Sequence, residues 1–416
     1  MTETATTSSL SKPAHIPESL VYEFDLFGDP ALLTDPHARI LDIVKHAPPI
    51  FWSPRPTGHW VLAGHEAVFE GMRDWELFTS ESTPQSQIQA MLAQRPAGAP
   101  HFPQPLPINA DPPLHGKYRV PLNATFSPKA MNALKDGIRA LARDLISKIA
   151  PQGRSEFMAD VAEPLPVQVF LKMLGLPVER QAEYRELVQD QLAALQSAEE
   201  SRRMLMKIAA TMRPTFAERR EQPQDDIITL LWNTEIDGKP VTMDDMEDFG
   251  VLLFIAGLDT VMNGIGHGVR HLAMDTALQD KLRADPALIP KAAEELLRRY
   301  TFTVPTRRVA KDIMFQGVEM KAGELVDILL PAADLDPRHF NRPDHYDMQR
   351  EDNVHIAFGT GPHRCLGSHL ARIELQVLYE ELLAGLPQFQ LDPANPPKFH
   401  GGRVIGPDHL HLIWNV

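Results

Sequence analysis

Apolar residues recur every three or four positions through much of the chain, which is the pattern of amphipathic helices. This spacing predicts helices over residues 127–150, 167–174, 179–196, 199–220, 244–275, 289–300 and 367–384. Shorter apolar stretches bounded by Gly, Asp or Pro predict strands over residues 58–63, 306–309, 313–319, 325–330 and 410–414. The middle of the chain is therefore predicted to be helical, and the sheets to be small.

Two segments lack this periodicity. Residues 84–113 carry prolines at 84, 96, 100, 103, 105, 107, 112 and 113, and each removes a backbone donor and disfavours helix at the residue before it. We expect a long loop there that is either mobile or functional. Residues 1–18 are rich in Thr and Ser without the basic-then-apolar order of a signal peptide, so they predict a flexible arm. Residues 19–416 show no repeat or linker and are expected to form one domain.

Composition narrows the class of protein. Of the 416 residues 43% are apolar and 23% charged, enough for a sizeable core. The net charge of −14 disfavours nucleic-acid binding, which needs a basic face. The most apolar run, residues 251–256, is far shorter than the roughly 20 residues of a membrane span. We therefore expect a cytoplasmic protein without a membrane anchor.

The chain has a single cysteine, Cys365, which excludes an internal disulfide, a Cys-rich zinc site and an iron–sulfur cluster on this chain. Taken alone, such a cysteine is most often a buried structural residue. It lies, however, in the segment Phe-Gly-Thr-Gly-Pro-His-Arg-Cys-Leu-Gly, residues 358–367, just before a predicted helix. Glycines allow the main chain to approach a flat group, and a helix N-terminus favours a thiolate. This arrangement suits ligation of a haem iron.

Residues 358–367 resemble the haem-binding signature of the cytochrome P-450 superfamily. Residues 256–260, Ala-Gly-Leu-Asp-Thr, resemble the oxygen-binding stretch of its central helix, and residues 295–298 its Glu-x-x-Arg pair. Residues 111–119 resemble the start of its helix that binds haem propionates. The likeness covers most of the chain in the same order and is nearest to the camphor 5-monooxygenase family. It implies a mostly α fold with small β-sheets, holding haem b between the long central helix and the cysteine loop.

The resemblance also implies residue roles at the cofactor. Cys365 would be the axial ligand of the iron, and charge-assisted bonds from basic side chains would hold the two propionates. The cofactor-binding residues expected in addition to Cys365 are His115, Arg119, Arg307, His363, Phe358 and Gly359. A solvated cation or a capped core histidine is the ordinary alternative for each basic residue.

Asp259 and Thr260 interrupt an apolar helix, where a carboxylate is costly unless it is paired or faces water. A threonine in a helix often only bonds the carbonyl one turn back. With the small Ala256 and Gly257 before them, the resemblance implies a groove for dioxygen, with Thr260 donating to the distal oxygen and Asp259 relaying protons. In the camphor enzyme family cations tether that carboxylate, and Arg185 is the one basic candidate near the aligned positions.

Glu295 and Arg298, at i and i+3, would ordinarily be a surface ion pair of well under about 1 kcal/mol. The resemblance implies a buried structural pair with a third partner from the segment before the cysteine loop. The family's motif supplies an Arg there. Here residues 343–346 read Pro-Asp-His-Tyr, so His345 is assigned that role.

The substrate pocket is expected to draw on the proline-rich loop and on the helix facing the iron. The predicted lining residues, which would look the same as plain core residues, are Phe102, Leu252, Ile255, Ala256, Thr303 and Val404. The camphor enzyme family has a ketone-binding Tyr in that loop, whereas residues 84–109 contain none and the aligned position is about Pro103. A substrate other than camphor is expected.

The predicted activity is monooxygenation of a small apolar substrate, a cyclic monoterpene or related terpenoid, with dioxygen. The chain has no flavin-binding motif and no cluster cysteines, so its electrons must arrive from outside. The resemblance implies a [2Fe-2S] ferredoxin with an NAD(P)H-dependent ferredoxin reductase, docking near Arg119 and Arg364. We expect a monomer. A peroxide-dependent haem-thiolate peroxygenase and a non-enzymatic haem sensor are the alternatives.

Overall fold

The computed structural model describes residues 12–96, 99, 101–194 and 198–416. Helices make up most of its regular structure and the sheets are small, which confirms the predicted fold class. The α-helices are α1 (Pro30–Thr34), α2 (Pro36–His46), α3 (His65–Arg73), α4 (Gln85–Ala93), α5 (Leu114–Asn123), α6 (Pro128–Ala133), α7 (Lys135–Ile149), α8 (Pro164–Leu174), α9 (Gln181–Ala194), α10 (Ala198–Glu221), α11 (Ile227–Trp232), α12 (Met243–Leu258), α13 (Thr260–Met274), α14 (Thr276–Ala284), α15 (Ile289–Arg299), α16 (Leu330–Ala333) and α17 (Ser368–Gly385).

The strands form one sheet of five strands and several smaller ones. The five-stranded sheet has the order β1-β2-β10-β7-β3, a three-stranded sheet has the order β11-β14-β4, and β5-β6, β8-β9 and β12-β13 are two-stranded. Their bounds are β1 (Ile50–Ser53), β2 (His59–Leu62), β3 (Phe78–Thr79), β4 (Arg154–Glu156), β5 (Glu235–Ile236), β6 (Lys239–Pro240), β7 (Thr306–Val309), β8 (Ile313–Phe315), β9 (Val318–Met320), β10 (Leu325–Ile328), β11 (Phe389–Leu391), β12 (Lys398–His400), β13 (Gly406–His409) and β14 (His411–Trp414).

Local signals explain most element boundaries. Ser127 caps α6 through its hydroxyl, with Pro128 in the first turn, and the predicted helix 127–150 divides at Leu134 into α6 and α7. The predicted strand 313–319 is a hairpin, β8–β9, that turns at Gln316 and Gly317, both with positive φ. In the proline-rich segment α4 forms where no proline stands between residues 84 and 96. Sequence periodicity therefore located the longer helices after residue 127, whereas α4 lies in a segment for which a loop was predicted.

Two central helices follow each other where one had been predicted over residues 244–275. Helix α12 ends at Leu258 and α13 begins at Thr260, with Asp259 between them. The combined segment Met243–Met274 is long and apolar enough to cross a membrane by length and composition alone, but 61% of its most apolar window is buried inside the protein. This is the property of a core helix.

Close helix packing around these two helices depends on glycine. A Cβ on Gly257 would lie 2.3 Å from the ring of Phe170 in α8, and one on Gly268 would lie 1.9 Å from the Tyr379 hydroxyl in α17. Any side chain at either position would push a neighbouring helix away. The central helices are thereby held against α8 on one side and α17 on the other.

Part of the predicted N-terminal arm, residues 1–18, falls on residues 1–11, which lie outside the described part of the chain. Ile16 is buried in the cluster formed around the five-stranded sheet, together with Trp52 and Trp60. Lys12 Nζ donates to the Ile16 carbonyl at 2.5 Å. The packed unit therefore includes residues before the predicted boundary at residue 19.

A group of buried histidines joins α2, α13 and the end of α15. The rings of His37 and His267 meet edge to face at 4.7 Å, and His271 Nδ1 lies 2.8 Å from the Tyr300 hydroxyl. Burial lowers the pKa of His267 and of His271 to about 4, and burial together with His267 lowers that of His37. These rings are neutral in the folded protein at neutral pH.

Acid should destabilise the protein through these rings. The pKa of His267 and of His271 rises from about 4 to about 6.5 on unfolding, so the unfolded chain binds more protons between those pH values and stability falls as pH falls. Each ring held at about 4 costs roughly 2 kcal/mol at pH 5 relative to pH 7. Urea unfolding at both pH values should show a smaller difference in His267→Phe. The exposed His46→Ala is the control; an equal difference in His267→Phe and wild type would contradict the assignment.

Candidate active site

The cysteine loop folds back on itself before α17. The Cys365 amide donates to the Phe358 carbonyl at 2.8 Å, and the Gly359 amide to the Ile356 carbonyl at 2.8 Å. Gly361 has φ +71°, and a Cβ there would lie 2.8 Å from the carbonyl oxygen of Met72. Only glycine fits both the backbone angle and the space. The loop thus presents Cys365 three residues before α17 begins at Ser368.

The thiol of Cys365 lies deep within the protein, yet the residue remains accessible, so it stands in a cleft. Burial raises the pKa of the thiol. The Gly367 amide and three cations, Arg119, Arg372 and Arg364, oppose that rise. Amide and cation together favour a thiolate, and a bound metal ion deprotonates a coordinating thiol outright. The position suits a metal ligand.

Four basic side chains gather beside the cleft from three parts of the chain. His115 and Arg119 lie on α5, Arg307 on β7 and His363 in the cysteine loop. The His115 and His363 rings meet at 4.4 Å, and Arg119 Nη2 donates to the carbonyl of Arg364 at 2.6 Å. The four residues predicted to bind the propionates are therefore brought together.

The two arginines of this basic cluster have no carboxylate in direct contact in the described part of the chain, although Asp111 lies near His363. Burial lowers the pKa of Arg307 to about 10, and burial with the nearby His363 and Arg119 lowers that of His115 to about 4. Among the described residues neither Arg119 nor Arg307 makes an ion pair within 4.0 Å, and His115 Nε2 is buried without a hydrogen-bond partner. Buried cations without partners are costly. A ligand that carries carboxylates would remove that cost.

His363 is already held in place on one side. Its Nε2 lies 2.9 Å from Ser80 Oγ and 3.9 Å from Asp111 Oδ1. Asp111 in turn accepts from the Ser80 amide at 3.1 Å and from the Thr79 hydroxyl. This support could not be predicted from the sequence, because Asp111 and His363 are remote along the chain.

The central helices have one accessible side near the junction of α12 and α13. Ala256 is exposed although it lies within a buried helix, and Thr260, one turn on, is half-buried. The Thr260 hydroxyl donates to the Ala256 carbonyl at 3.1 Å. Residues at i and i+4 share a helix face. This face opens onto a space inside the protein.

Asp259, at the junction of α12 and α13, is 3% exposed, and neither carboxylate oxygen has a hydrogen-bond partner in the described part of the chain. Burial raises its pKa to about 6; His400 opposes the rise, and Glu163 and Asp408 add to it. Arg185, the cation expected near Asp259, instead pairs with Glu163 through Nε and Nη2. The carboxylate thus has no tethering cation among the described residues.

Glu295 and Arg298 on α15 are both fully buried. Arg298 Nε and Nη2 donate to the two carboxylate oxygens of Glu295, each at 2.8 Å. Arg298 also donates to the carbonyls of Asp334 at 2.8 Å and Pro343 at 3.0 Å. The Asp347 amide donates to Glu295 at 2.9 Å. The pair fastens α15 to the segment that leads into the cysteine loop.

The third charged member of this group is Arg350, not His345. Arg350 Nε lies 3.4 Å from Glu295 Oε2, and its side chain is 9% exposed. His345 meets Arg298 and Arg350 only through its carbonyl oxygen, at 3.3 Å from each. The role predicted for His345 is therefore corrected: the charged third partner is an arginine that stands five residues later in the chain.

Comparison with known proteins decides the family. The cytochrome P450 family model matches residues 188–404, just over half of the chain. The probable cytochrome P450 127A1 of Sinorhizobium fredii is 36% identical over 411 residues, with 97% of this chain and 96% of that protein covered. A steroid C26-monooxygenase of Mycobacterium tuberculosis is 32% identical over 354 residues, covering 81% and 91%. The crystal structure of CYP101J2 matches with a TM-score of 0.85 at 30% identity, covering 98% and 100%.

The chain belongs to the cytochrome P450 family. It is a monooxygenase of the bacterial P450 class with cysteine-ligated haem b, as predicted from residues 358–367. Cys365 is the single cysteine that can supply the ligand. The residues present fit the group: an accessible thiol, and beside it two arginines without an ion-pair partner among the described residues and a buried His115 Nε2 without a hydrogen bond, a set that suits two propionates.

The residues predicted to line the substrate pocket of this P450 lie on three elements. Leu252, Ile255 and Ala256 follow one another on α12. Thr303 and Val404 are paired by a β-bridge. Phe102 lies in the proline-rich loop, where the guanidinium of Arg202 in α10 stands 4.3 Å from the centre of its ring.

A buried acid pins the proline-rich loop to α12. His101 Nε2 lies 2.8 Å from Asp248 Oδ1, and the Gln104 amide donates to the same oxygen at 2.7 Å. Burial raises the pKa of Asp248 to about 6, while His101 opposes that rise. Asp248 precedes Leu252 by one helical turn, so the loop is fixed next to the predicted pocket. Sequence reasoning missed this contact, which spans 147 residues.

Substitution of each candidate third partner should show whether Arg350 or His345 stabilises the Glu295–Arg298 pair. In Arg350→Ala the negative charge of buried Glu295 loses a nearby cation, and this should lower the free energy of unfolding by about 2 kcal/mol. His345→Ala keeps its backbone carbonyl and should change it by less than about 0.5 kcal/mol. Urea unfolding of both haem-loaded variants measures this. A larger loss in His345→Ala than in Arg350→Ala would restore the original assignment.

Proposed function

We propose that this P450 hydroxylates a small apolar cyclic substrate, a monoterpene or related terpenoid, with dioxygen and electrons from a [2Fe-2S] ferredoxin and its NAD(P)H-dependent reductase. Haem b supplies the activation of dioxygen and the transfer of one oxygen atom to a C–H bond. The observation that carries the proposal is the buried, untethered Asp259 next to Thr260, on the helix side that faces the cleft. A protein that only carries haem and catalyses no reaction does not need the Asp259–Thr260 pair.

The chain's own groups would divide the work of holding the cofactor. Cys365 would ligate the iron, and Phe358 and Gly359 of the same loop would help to hold the haem. Arg119, Arg307, His115 and His363 would bind the propionates through charge-assisted bonds. The orphaned Nε2 of His115 and the unpaired guanidinium of Arg307 support this assignment.

Asp259 and Thr260 would deliver protons. A carboxyl with a pKa of about 6 gives up and regains a proton near neutral pH at small cost. The Thr260 hydroxyl, now donating to the Ala256 carbonyl, can turn to donate into the cleft. Asp259 would then resupply the proton from the protein interior.

The substrate pocket supports an apolar ligand. Five of its six proposed residues, Phe102, Leu252, Ile255, Ala256 and Val404, have no polar side-chain atom, and Thr303 offers one hydroxyl. The His101–Asp248 contact fixes the loop that would cover the ligand. The absence of a tyrosine from residues 84–109 argues against a ketone anchored as in the camphor family. A steroid is a second candidate, because one relative is a steroid C26-monooxygenase.

Electron delivery from outside is proposed because the chain holds no second redox motif. Arg119 and Arg364, close to Cys365, would face an acidic ferredoxin. A monomer in the cytoplasm fits this transfer from a separate protein. The Asp259–Thr260 pair favours dioxygen over peroxide as the oxidant, and turnover with peroxide alone at an equal rate would favour the peroxygenase alternative.

Replacement of the proton-delivery pair should uncouple the reaction. Thr260→Ala should lower the product formed per NAD(P)H consumed, and Asp259→Asn should lower kcat by about 100-fold, because general acid catalysis contributes on that order. Product and NAD(P)H are measured together. Thr211→Ala is a matched control, since the Thr211 hydroxyl makes the same bond one turn back, to Lys207, on α10. Unchanged coupling in Thr260→Ala would contradict the role proposed for the pair, and absence of product from the wild type would support the haem-sensor alternative.

A ligand panel tests the substrate class. Cyclic monoterpenes, a steroid and fatty acids are titrated into the ferric protein, and the spectral change at the haem is followed. Cyclic terpenoids should give the largest change with the lowest Kd, and Leu252→Phe should weaken it about tenfold by filling the pocket. A response to fatty acids alone would reject the proposed class, and a response to the steroid alone would favour the second candidate.

A further inference from the structure

A group of possible metal ligands lies where strands β4 and β14 of the three-stranded sheet meet the end of β13, apart from the haem ligand. Glu156 ends β4, His409 ends β13 and His411 begins β14. One ligand atom from each lies within 4.8 Å of the others. We propose that Glu156, His409 and His411 form a surface site for a late divalent transition metal, of which Zn²⁺ is the simplest example. Two imidazoles and a carboxylate are ligands that Zn²⁺ prefers.

The strand register brings these three residues together. His411 is the direct cross-strand partner of Glu156 in the antiparallel pair β14–β4. His409 stands two residues before His411, and the Leu410 between them is fully buried. Because side chains alternate along extended chain, burying Leu410 turns both histidines to the opposite face. Both imidazoles therefore lie on the same face of the sheet as the Glu156 side chain.

The carboxylate is already oriented by the backbone. Glu156 Oε1 accepts from the Leu410 amide at 2.8 Å, and Oε2 accepts from the Ala159 amide at 2.8 Å. Each oxygen keeps a second lone pair for a metal ion. Such outer hydrogen bonds to a ligand commonly fix its position and tune the metal. Because Leu410 stands between His409 and His411, its hydrogen bond to Glu156 holds the carboxylate next to both histidines.

The surroundings favour a cation. A groove of about 280 Å³ beside the site contains Glu156, Asp160, Asp392 and His411, with Arg154 as the one cation in its lining. Asn395 and the Ala394 amide lower the pKa of Asp392, which is therefore ionised at neutral pH. The acidic groove attracts a divalent ion and leaves room for water to complete the coordination.

One ligand has to move for binding. Bonds of about 2.0–2.2 Å place tetrahedral ligand atoms about 3.5 Å apart, closer than the 4.8 Å limit found here. His409 Nδ1 is 3.8 Å from Glu156 Oε1, and its side chain is 52% exposed. A small rotation of this exposed ring closes the site without any change in the sheet.

Zinc titration of the full-length, haem-loaded protein, after treatment with a chelator, tests the site by calorimetry. Wild type should bind one Zn²⁺ at this site with a Kd on the order of micromolar. His409→Ala and His411→Ala should each raise that Kd by about tenfold or more. His46→Ala should not, although His46 Nδ1 likewise lies near a carboxylate, 2.8 Å from Asp42. Glu156→Gln, which keeps an oxygen for the Leu410 amide, should weaken binding while leaving the fold intact.

Absence of Zn²⁺ binding up to 1 mM would overturn the proposal, as would binding that survives the double change His409→Ala with His411→Ala. Circular dichroism and the haem absorption band of each variant show whether it is folded. Anomalous scattering at the zinc edge from zinc-soaked crystals gives a second readout. A peak between these three side chains supports the site, and peaks only at other histidines reject it. None of these outcomes depends on the proposed reaction.

Discussion

The buried ion pair of Glu295 and Arg298 is the interaction on which the active site rests. Both side chains are fully buried, and removing two charges from water costs several kcal/mol per ion. The pair is stable because the remaining bonding capacity is used: Asp347 donates to Glu295, while Asp334 and Pro343 accept from Arg298. All three partners belong to the segment between α16 and the cysteine loop. The cost of burial is therefore offset only when that segment follows one path.

Hydrogen bonds carry this constraint on to the cysteine. Asp334, whose carbonyl accepts from Arg298, uses its carboxylate to accept from the Ile356 amide at 2.8 Å and from the Thr301 hydroxyl at 2.6 Å. Ile356 stands two residues before Phe358, whose carbonyl accepts from the Cys365 amide. The position of the sulfur is thus set by contacts that begin on α15. A ligand placed by such a network needs little reorganisation when the metal binds.

Structural features that depend on residues close together in the chain could be predicted from the sequence. Contacts between residues that are distant in the chain could not. Helix periods, the glycines of residues 358–367 and the Glu295–Arg298 spacing are local, and each was readable. The contact of His101 with Asp248 joins residues 147 apart, and no pattern along the chain records it. Arg350 was missed because a fixed motif spacing was assumed, whereas a turn in the segment moves the cation five residues on from His345. The division of the central helix at Asp259 also escaped notice, because residues 244–275 contain no proline.

The missing tether of Asp259 has a physical consequence for proton delivery as proposed. A cation in contact with a carboxylate lowers its pKa and adds a bond that must break before the side chain can turn. Here Arg185 is committed to Glu163, and burial is the main cause that raises the pKa of Asp259 to about 6. At neutral pH such an acid exchanges protons at little cost, and no ion pair with a described residue holds it in place. Release of a cation from Asp259 is therefore not a step of the proton delivery as proposed.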